Sequence, residues 1–192
     1  TDLKTLNINP AIAKNVNDKL SVGFGLNAQY VDVVLEQKLN QMAIGNMTDA
    51  NASVTGSSWA FGYNFGLNYQ ANDDLRIGAS YRSGMTHNVD GKVKYEDVDP
   101  LVAGVLYNAD ASASVNLPAT ASLAVDYKMS ESTQLLASTT WTGWSAYDEL
   151  VVEFDNLSPD SETNQDFKDS MRYALGISYK ASARATLRAG VA

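Results

Sequence analysis

Residues 75–96 alternate over their whole length. Leu75, Ile77, Ala79, Tyr81, Met85, Val89, Val93 and Tyr95 form a mostly apolar odd set, with Ser83, His87 and Gly91 in it. Arg76, Ser80, Arg82, Thr86, Asn88, Asp90, Lys92, Lys94 and Glu96 form a polar even set, with Gly78 and Gly84 between them. A period of two is a β-strand with two unlike faces. A globular strand usually runs to about five or six residues. At roughly 3.3 Å per residue this one would reach about 70 Å, longer than a small domain is wide. Strands of that length fit the wall of a large barrel that rises well above a membrane.

The rest of the chain repeats the pattern. A first strand is predicted over 3–16, interrupted at Pro10, which cannot donate to a ladder. After a tight turn at 15–19, Leu20, Val22, Phe24, Leu26, Ala28 and Tyr30 face one way. Trp59, Phe61, Tyr63, Phe65, Leu67 and Tyr69 do so in a third strand. Further strands are predicted over 117–128, over 134–154 with a bulge near Trp144, over 171–180, and over the last residues of the chain. Residues 45–58 and 155–169 read as polar loops. The unit is strand, tight turn, strand, long loop, with tight turns near 18, 73, 131 and 183. All short connections fall at one end and all long ones at the other, as in outer-membrane barrels. Tyr69, Tyr127 and Tyr179 lie close to the tight turns, whereas Trp59, Tyr81, Trp141 and Tyr173 lie farther along. Ten residues of a tilted strand cover about 25 Å of bilayer, so two aromatic girdles are expected. A β-sandwich with ordinary core aromatics is the alternative.

Composition removes several functions. The formal net charge of −8 and the lack of a basic stripe argue against nucleic acid as a partner. There is no cysteine, and the single histidine, His87, nearly excludes catalytic triads and multi-histidine metal sites. Asp97, Asp99 and Asp155 read as solvated loop carboxylates rather than calcium ligands, because their spacing is not that of an EF-hand. No catalytic residue, metal or cofactor is expected. Residues 187–192 stop in mid-strand and the first residues are no charged leader, so the expectation is an internal piece of a longer protein, 1–192 being one partial barrel domain.

Two stretches depart from the period of two. Val34, Leu35, Leu39, Met42 and Ile44 recur at three or four residues and predict a short amphipathic helix. A second is predicted at 101–106, capped by Asp99 with Pro100 at its first position and carrying Leu101, Val102, Val105 and Leu106. Apolar helices in loops that should face water need a reason. Either they pack on each other, or Leu35, Leu39 and Met42 form with Leu101, Val105 and Leu106 a groove that takes hydrophobic molecules from outside. Asn27, Gln29, Asn64, Asn68, Gln70, Arg76, Arg82, Asp126, Lys128, Arg172, Lys180 and Arg188 are expected to point into the lumen, either neutralising one another or guiding an acidic head group.

Several ordered stretches resemble the FadL family of outer-membrane transporters of long-chain fatty acids and other hydrophobic compounds. They are Thr1-Asp2-Leu3 with Leu6-Asn7; Asn17-Asp18-Lys19-Leu20-Ser21-Val22-Gly23; Gly62-Tyr63-Asn64-Phe65-Gly66; Ser80-Tyr81-Arg82-Ser83; Leu117-Pro118-Ala119; Trp141-Thr142-Gly143-Trp144-Ser145; and Phe167-Lys168-Asp169 running into Arg172-Tyr173-Ala174-Leu175-Gly176. The resemblance implies an all-β, transmembrane antiparallel β-barrel of fourteen strands. About eight consecutive ones would lie here, without the hatch that plugs the lumen and without the kinked strand that opens the wall sideways. It implies passive transport of hydrophobic small molecules across the outer membrane of a Gram-negative bacterium. The full-length form would be a monomer in contact with membrane lipid and lipopolysaccharide. In the family a basic residue at the foot of the first long loop meets the ligand's acidic head; the matching position is Gln37, with Lys38 beside it. A general diffusion porin is the competing reading, and a barrel hydrolase a third.

Overall fold

The computed structural model describes residues 2–42, 48–157 and 159–192. They form one antiparallel sheet of thirteen strands. These are β1 (Asp2–Ile8), β2 (Ala11–Asn15), β3 (Leu20–Leu39), β4 (Ala50–Gln70), β5 (Leu75–Arg82), β6 (Met85–Glu96), β7 (Ala109–Leu117), β8 (Thr120–Lys128), β9 (Thr133–Thr142), β10 (Glu149–Phe154), β11 (Ser161–Asn164), β12 (Ser170–Lys180) and β13 (Thr186–Val191). Most are halves of longer passes. β1 and β2 both pair with β3; β5 and β6 both pair with β4; β6 pairs with β7, and β5 with β8. The chain is thus an up-and-down meander of eight passes, as expected from the alternation. Among the described residues β13 pairs only with β12, and β1 only with β3, so the sheet is not closed.

The tight turns share one local chemistry. Asn17 Oδ1 accepts the backbone N–H groups of Lys19 and Leu20 at 2.9 Å each, and Asn72 Oδ1 does the same for Asp74 and Leu75. Ser130 Oγ accepts from Ser132 and Thr133, and Ser182 Oγ from Arg184. In each case a short polar side chain replaces a backbone carbonyl, which is why asparagine and serine sit at these corners.

Register assigns each residue to a face, because residues opposite each other in a ladder point the same way. Leu3, Gln29, Val31, Val33, Leu35, Val54, His87, Val89, Val115, Leu150 and Val152, drawn from six adjacent passes, line a single cavity. Six strands about 4.8 Å apart can share one small cavity only if the sheet curls around it, so this is the concave, lumenal face. All twelve polar residues expected in the lumen share it. Arg76, for example, donates to Asp126 at 2.7 Å, and Asp126 also accepts from Gln134.

In the half nearest the tight turns, the outer face carries Phe24, Leu26, Trp59, Phe61, Phe65, Leu123, Tyr173 and Leu175, all exposed. This is the band that meets lipid. Tyr69, Tyr127 and Tyr179 border it at the turn end. At its other end Trp59 packs on Tyr30 (5.2 Å) and Tyr63 on Tyr81 (6.0 Å). Beyond that border the polarity reverses. The outer face of β6 carries Thr86, Asn88, Asp90, Lys92, Lys94 and Glu96, all exposed, while Met85, His87, Val89 and Val93 are buried on the inside. The wall therefore has a lipid-facing half with a polar interior, and above it a half with a polar exterior and an apolar interior.

Two devices produce the reversal. β3 and β4 run through without a break, and the apolar residues change parity instead: even up to Tyr30 and odd from Val31 in β3, odd from Trp59 onward and even before it in β4. In the next pass the parity stays odd and the backbone turns over. Phe65 stands opposite Tyr81, but Gly56 stands opposite Gly91, where an unbroken ladder would place Asp90. The one-residue offset sits at Ser83–Gly84, where Tyr63 N donates to Ser83 Oγ at 2.9 Å and Ser83 N to the Tyr63 carbonyl at 2.9 Å. Pro118 and Ala119 interrupt the neighbouring pass at the same height. A side chain at position 84 would meet the Leu117 carbonyl oxygen at 2.8 Å, so this crossing needs glycine.

Several expectations are corrected here. The helix predicted over 34–44 is strand as far as Leu39; the spacing of three and four came from the parity change at Val31, not from helical turns. Ile44 lies outside the described residues. Residues 101–106 form hydrogen-bonded turns rather than a helix, with Val105 N and Leu106 N both donating to the Val102 carbonyl at 2.9 Å. The loop read over 45–58 already contains the start of β4, and the one read over 155–169 contains β11. β7 was not expected as a strand, and Leu117, its last residue, lines the inner face. The pass read as one bulged strand over 134–154 is β9 and β10 with a single 3-10 turn, Trp144–Ala146, between them.

Candidate ligand cavity

The inward apolar residues of the upper half enclose about 380 Å³. β3 supplies Val31, Val33 and Leu35, β6 supplies Val89, and β7 supplies Ala113 and Val115; Tyr147, Leu150 and Val152 close the far side. Gly56 and Gly91 face each other on β4 and β6 within the lining. A Cβ on Gly56 would lie 2.6 Å from Val89 Cγ1, and one on Gly91 would collide with the Thr55 carbonyl oxygen. The two glycines let these strands approach and leave Val89 as the surface a ligand would meet. Nothing in this lining is a strong nucleophile or an acidic group, and its chemistry is that of an apolar container.

A polar layer lies beneath. His87, 2% exposed, bonds through Nε2 to Gln29 Oε1 at 2.9 Å. It stands above the lipid-facing band, and burial pushes its imidazole below the usual histidine range, so the ring is neutral at pH 7. One inward position further down β3 is Asn27, also 2% exposed. Its Oδ1 accepts from Asn9 Nδ2 at 2.9 Å, Arg82 Nη2 at 3.1 Å and Asn7 Nδ2 at 3.4 Å. Asn64 Oδ1 accepts from Asn9 at 2.8 Å and Asn27 at 3.2 Å. Asn9 takes part because Pro10 ends β1 there, and its amide also donates to the Leu26 carbonyl.

Of the residues expected to form the groove, the cavity takes only Leu35. Leu39 faces inward at the top of β3, opposite Ala50. Lys38 is exposed on the outer face of the wall, opposite Asn51, and turns away from the cavity. Met42 and Leu101 are 65% and 78% exposed, Val105 is exposed and Leu106 half-buried. The two loops are nonetheless tied together by a residue that the sequence did not single out. Gln41, 4% exposed, donates to the carbonyls of Thr48 (3.0 Å) and Asp97 (2.9 Å) and accepts from Asp99 N (2.8 Å). Val31, Val33, Val89 and Val115 were also missed as site residues. The parity change at Val31 was the visible signal for the first two.

A curled, lipid-faced meander with an apolar chamber above its membrane band defines part of the wall of an outer-membrane β-barrel. The comparisons agree: residues 1–192 match the family described as outer membrane protein transport protein (OMPP1/FadL/TodX), and the chain belongs to that family. It is 27% identical to the long-chain fatty acid transport protein of Escherichia coli O6:H1 (strain CFT073), over 100% of this chain and 50% of the relative. It is 32% identical to the 47 kDa outer membrane protein of Pasteurella multocida (strain Pm70), over 85% of this chain and 41% of the relative. Among solved structures it is similar to a Pseudomonas aeruginosa FadL homologue (TM-score 0.80, 23% identity, 98% of this chain and 49% of that one). It is also similar to the Pseudomonas putida toluene transporter TodX (TM-score 0.70, 20% identity, 98% and 54%). The chain spans about half the length of the curated relatives it matches.

Proposed function

We propose that the whole protein carries hydrophobic small molecules passively across the outer membrane, and that the apolar chamber of the upper half is where they are held during passage. The observation that supports this is the reversal of polarity: an apolar lining inside a wall whose outside is polar serves no membrane contact, so it serves something within. Relatives named for long-chain fatty acids and for toluene share the fold. Each buried methylene is worth about 0.8 kcal/mol, so a chain of several carbons would be held by several kcal/mol. On this reading the protein performs no reaction, as befits a family of transport proteins. It works as a monomer, with lipopolysaccharide against the polar outer face of β6. Met42, Leu101, Val105 and Leu106, on loops joined through Gln41, would form the outer approach, with Leu39 at the rim. The test is Leu35→Asp in the full-length protein. We expect uptake of hydrophobic compounds to fall at least tenfold while the barrel keeps its heat-dependent gel mobility. Unchanged uptake with an intact barrel would refute the chamber's role.

A further inference from the structure

His87 lines the apolar chamber, yet only one of its two ring nitrogens is used. Nε2 meets Gln29 Oε1 at 2.9 Å. An amide oxygen only accepts, so Nε2 carries the proton, and in a neutral ring Nδ1 is then a bare acceptor. Burial favours that neutral form. Nδ1 is itself buried and, among the described residues, has no hydrogen-bond partner. On the inner face His87 stands between Met85 and Val89 of β6 and opposite Val115 of β7, and none of these side chains can donate. The hydroxyl-bearing residues of the chamber, Thr5, Thr55, Ser112 and Tyr147, leave it unsatisfied too. Native proteins pair nearly all their buried polar atoms, so an orphan in the wall of a ligand chamber asks for a partner from outside the chain.

The missing partner must donate. We propose that His87 Nδ1 is a hydrogen-bonding station for the hydroxyl of an uncharged hydrophobic alcohol or phenol, whose apolar body fills the chamber above. A hydrocarbon has no donor to offer and leaves Nδ1 unpaired. An ether or a carboxylate brings only acceptor oxygens against the Nδ1 lone pair. The bond to Gln29 fixes which nitrogen is bare, and hence that the site reads a donor. His87 is thereby a specificity-determining residue that sorts hydrophobic molecules by a single polar group. A site built around one hydroxyl discriminates against analogues lacking it more sharply than an apolar pocket discriminates by size, because its own polar group is otherwise left unpaired. This role rests on the chamber being a ligand site of the transport path.

The test measures binding to the full-length protein in detergent. The probes are p-cresol and 1-heptanol, which carry a hydroxyl, p-xylene, which has no polar group, and 4-methylanisole, whose oxygen only accepts. A hydroxyl that found no partner would weaken binding through its desolvation. Wild-type protein should therefore bind at least one hydroxyl probe as tightly as p-xylene or more tightly, and 4-methylanisole less tightly. The hydroxyl probe it prefers says whether the ligand is a phenol or an aliphatic alcohol. His87→Phe, which keeps a ring without nitrogens, should weaken the preferred hydroxyl probe about 10- to 100-fold and leave p-xylene within about threefold. Should His87→Phe fail to assemble, His87→Leu and the wild-type order of affinities decide. Clearly weaker wild-type binding of both hydroxyl probes than of p-xylene, or tightest binding of 4-methylanisole, would overturn the assignment. So would equal losses for hydroxyl probe and p-xylene, or no loss for either, which would leave a trapped water as the partner of Nδ1. If wild-type protein binds none of the probes, the chamber's role in transport falls first, and this assignment with it.

Discussion

β5 and β6 are consecutive in sequence, alternate with the same parity and lie against the same strand, yet they present opposite faces. In β5 the odd residues Ile77 and Tyr81 look out to lipid; in β6 the odd residues His87, Val89 and Val93 are buried inside. β3 reaches the same reversal with no break, by moving its apolar residues from even to odd positions at Val31. Apolar side chains are needed outside where there is lipid and inside where there is a chamber, and either composition or backbone can supply the change. Alternation defines two faces but not which of them is inside.

The junction between β5 and β6 is the most sensitive point of the wall. Inserting one alanine between Ser83 and Gly84 would turn β6 back by one residue and send Met85, His87, Val89 and Val93 outward. A one-residue slip exchanges every side chain between faces. We expect no heat-modifiable barrel at all. The same insertion beside Gly104, where an added Cβ meets nothing within 4 Å, should leave assembly intact. Assembly of both variants would show that the offset is incidental.

Single charges sharpen the contrast. Lysine in place of Phe65, in the middle of the lipid band, should cost about 2–4 kcal/mol of unfolding free energy. Lysine in place of Asn88, on the outer face of the upper half, should stay within about 0.5 kcal/mol. Urea unfolding in lipid vesicles measures both. Equal costs would mean that the upper wall also faces lipid.

The smallest effect concerns His87. Its imidazole has a lowered pKa in the folded state, so between that value and the usual one near 6.5 the unfolded chain binds more protons. Stability is therefore lost as pH falls below about 6.5, and wild-type protein should unfold in less urea at pH 5 than at pH 7. His87→Asn, which keeps a polar group beside Gln29 but does not titrate, should shift less over that interval. An identical shift in both proteins would place the pH sensitivity elsewhere.

Much of the wall was legible because its signals are local. Pro10, the four asparagine and serine corners and the period of two each depend on a few neighbouring residues, and they marked the eight passes. The site was less legible because it depends on neighbours far apart in the chain. Val31, Val33 and Val89 meet around one cavity through β4, which lies between their strands, and Leu35 and Leu39 counted as helical only because a change of face imitates a helical step. Gln41 carries no pattern at all; its importance comes from three backbone groups brought to it by folding.

By itself the sequence determined that the chain is two-faced strand joined by tight corners at one end. Backbone sterics and hydrogen bonding at asparagine, serine and proline act over a few residues, and these choices need no partner. Only the tertiary structure decided which face is inside and where that changes. The facing of β6 is set by its register on β4, a one-residue offset at Ser83–Gly84 that the unbroken alternation of residues 75–96 does not reveal.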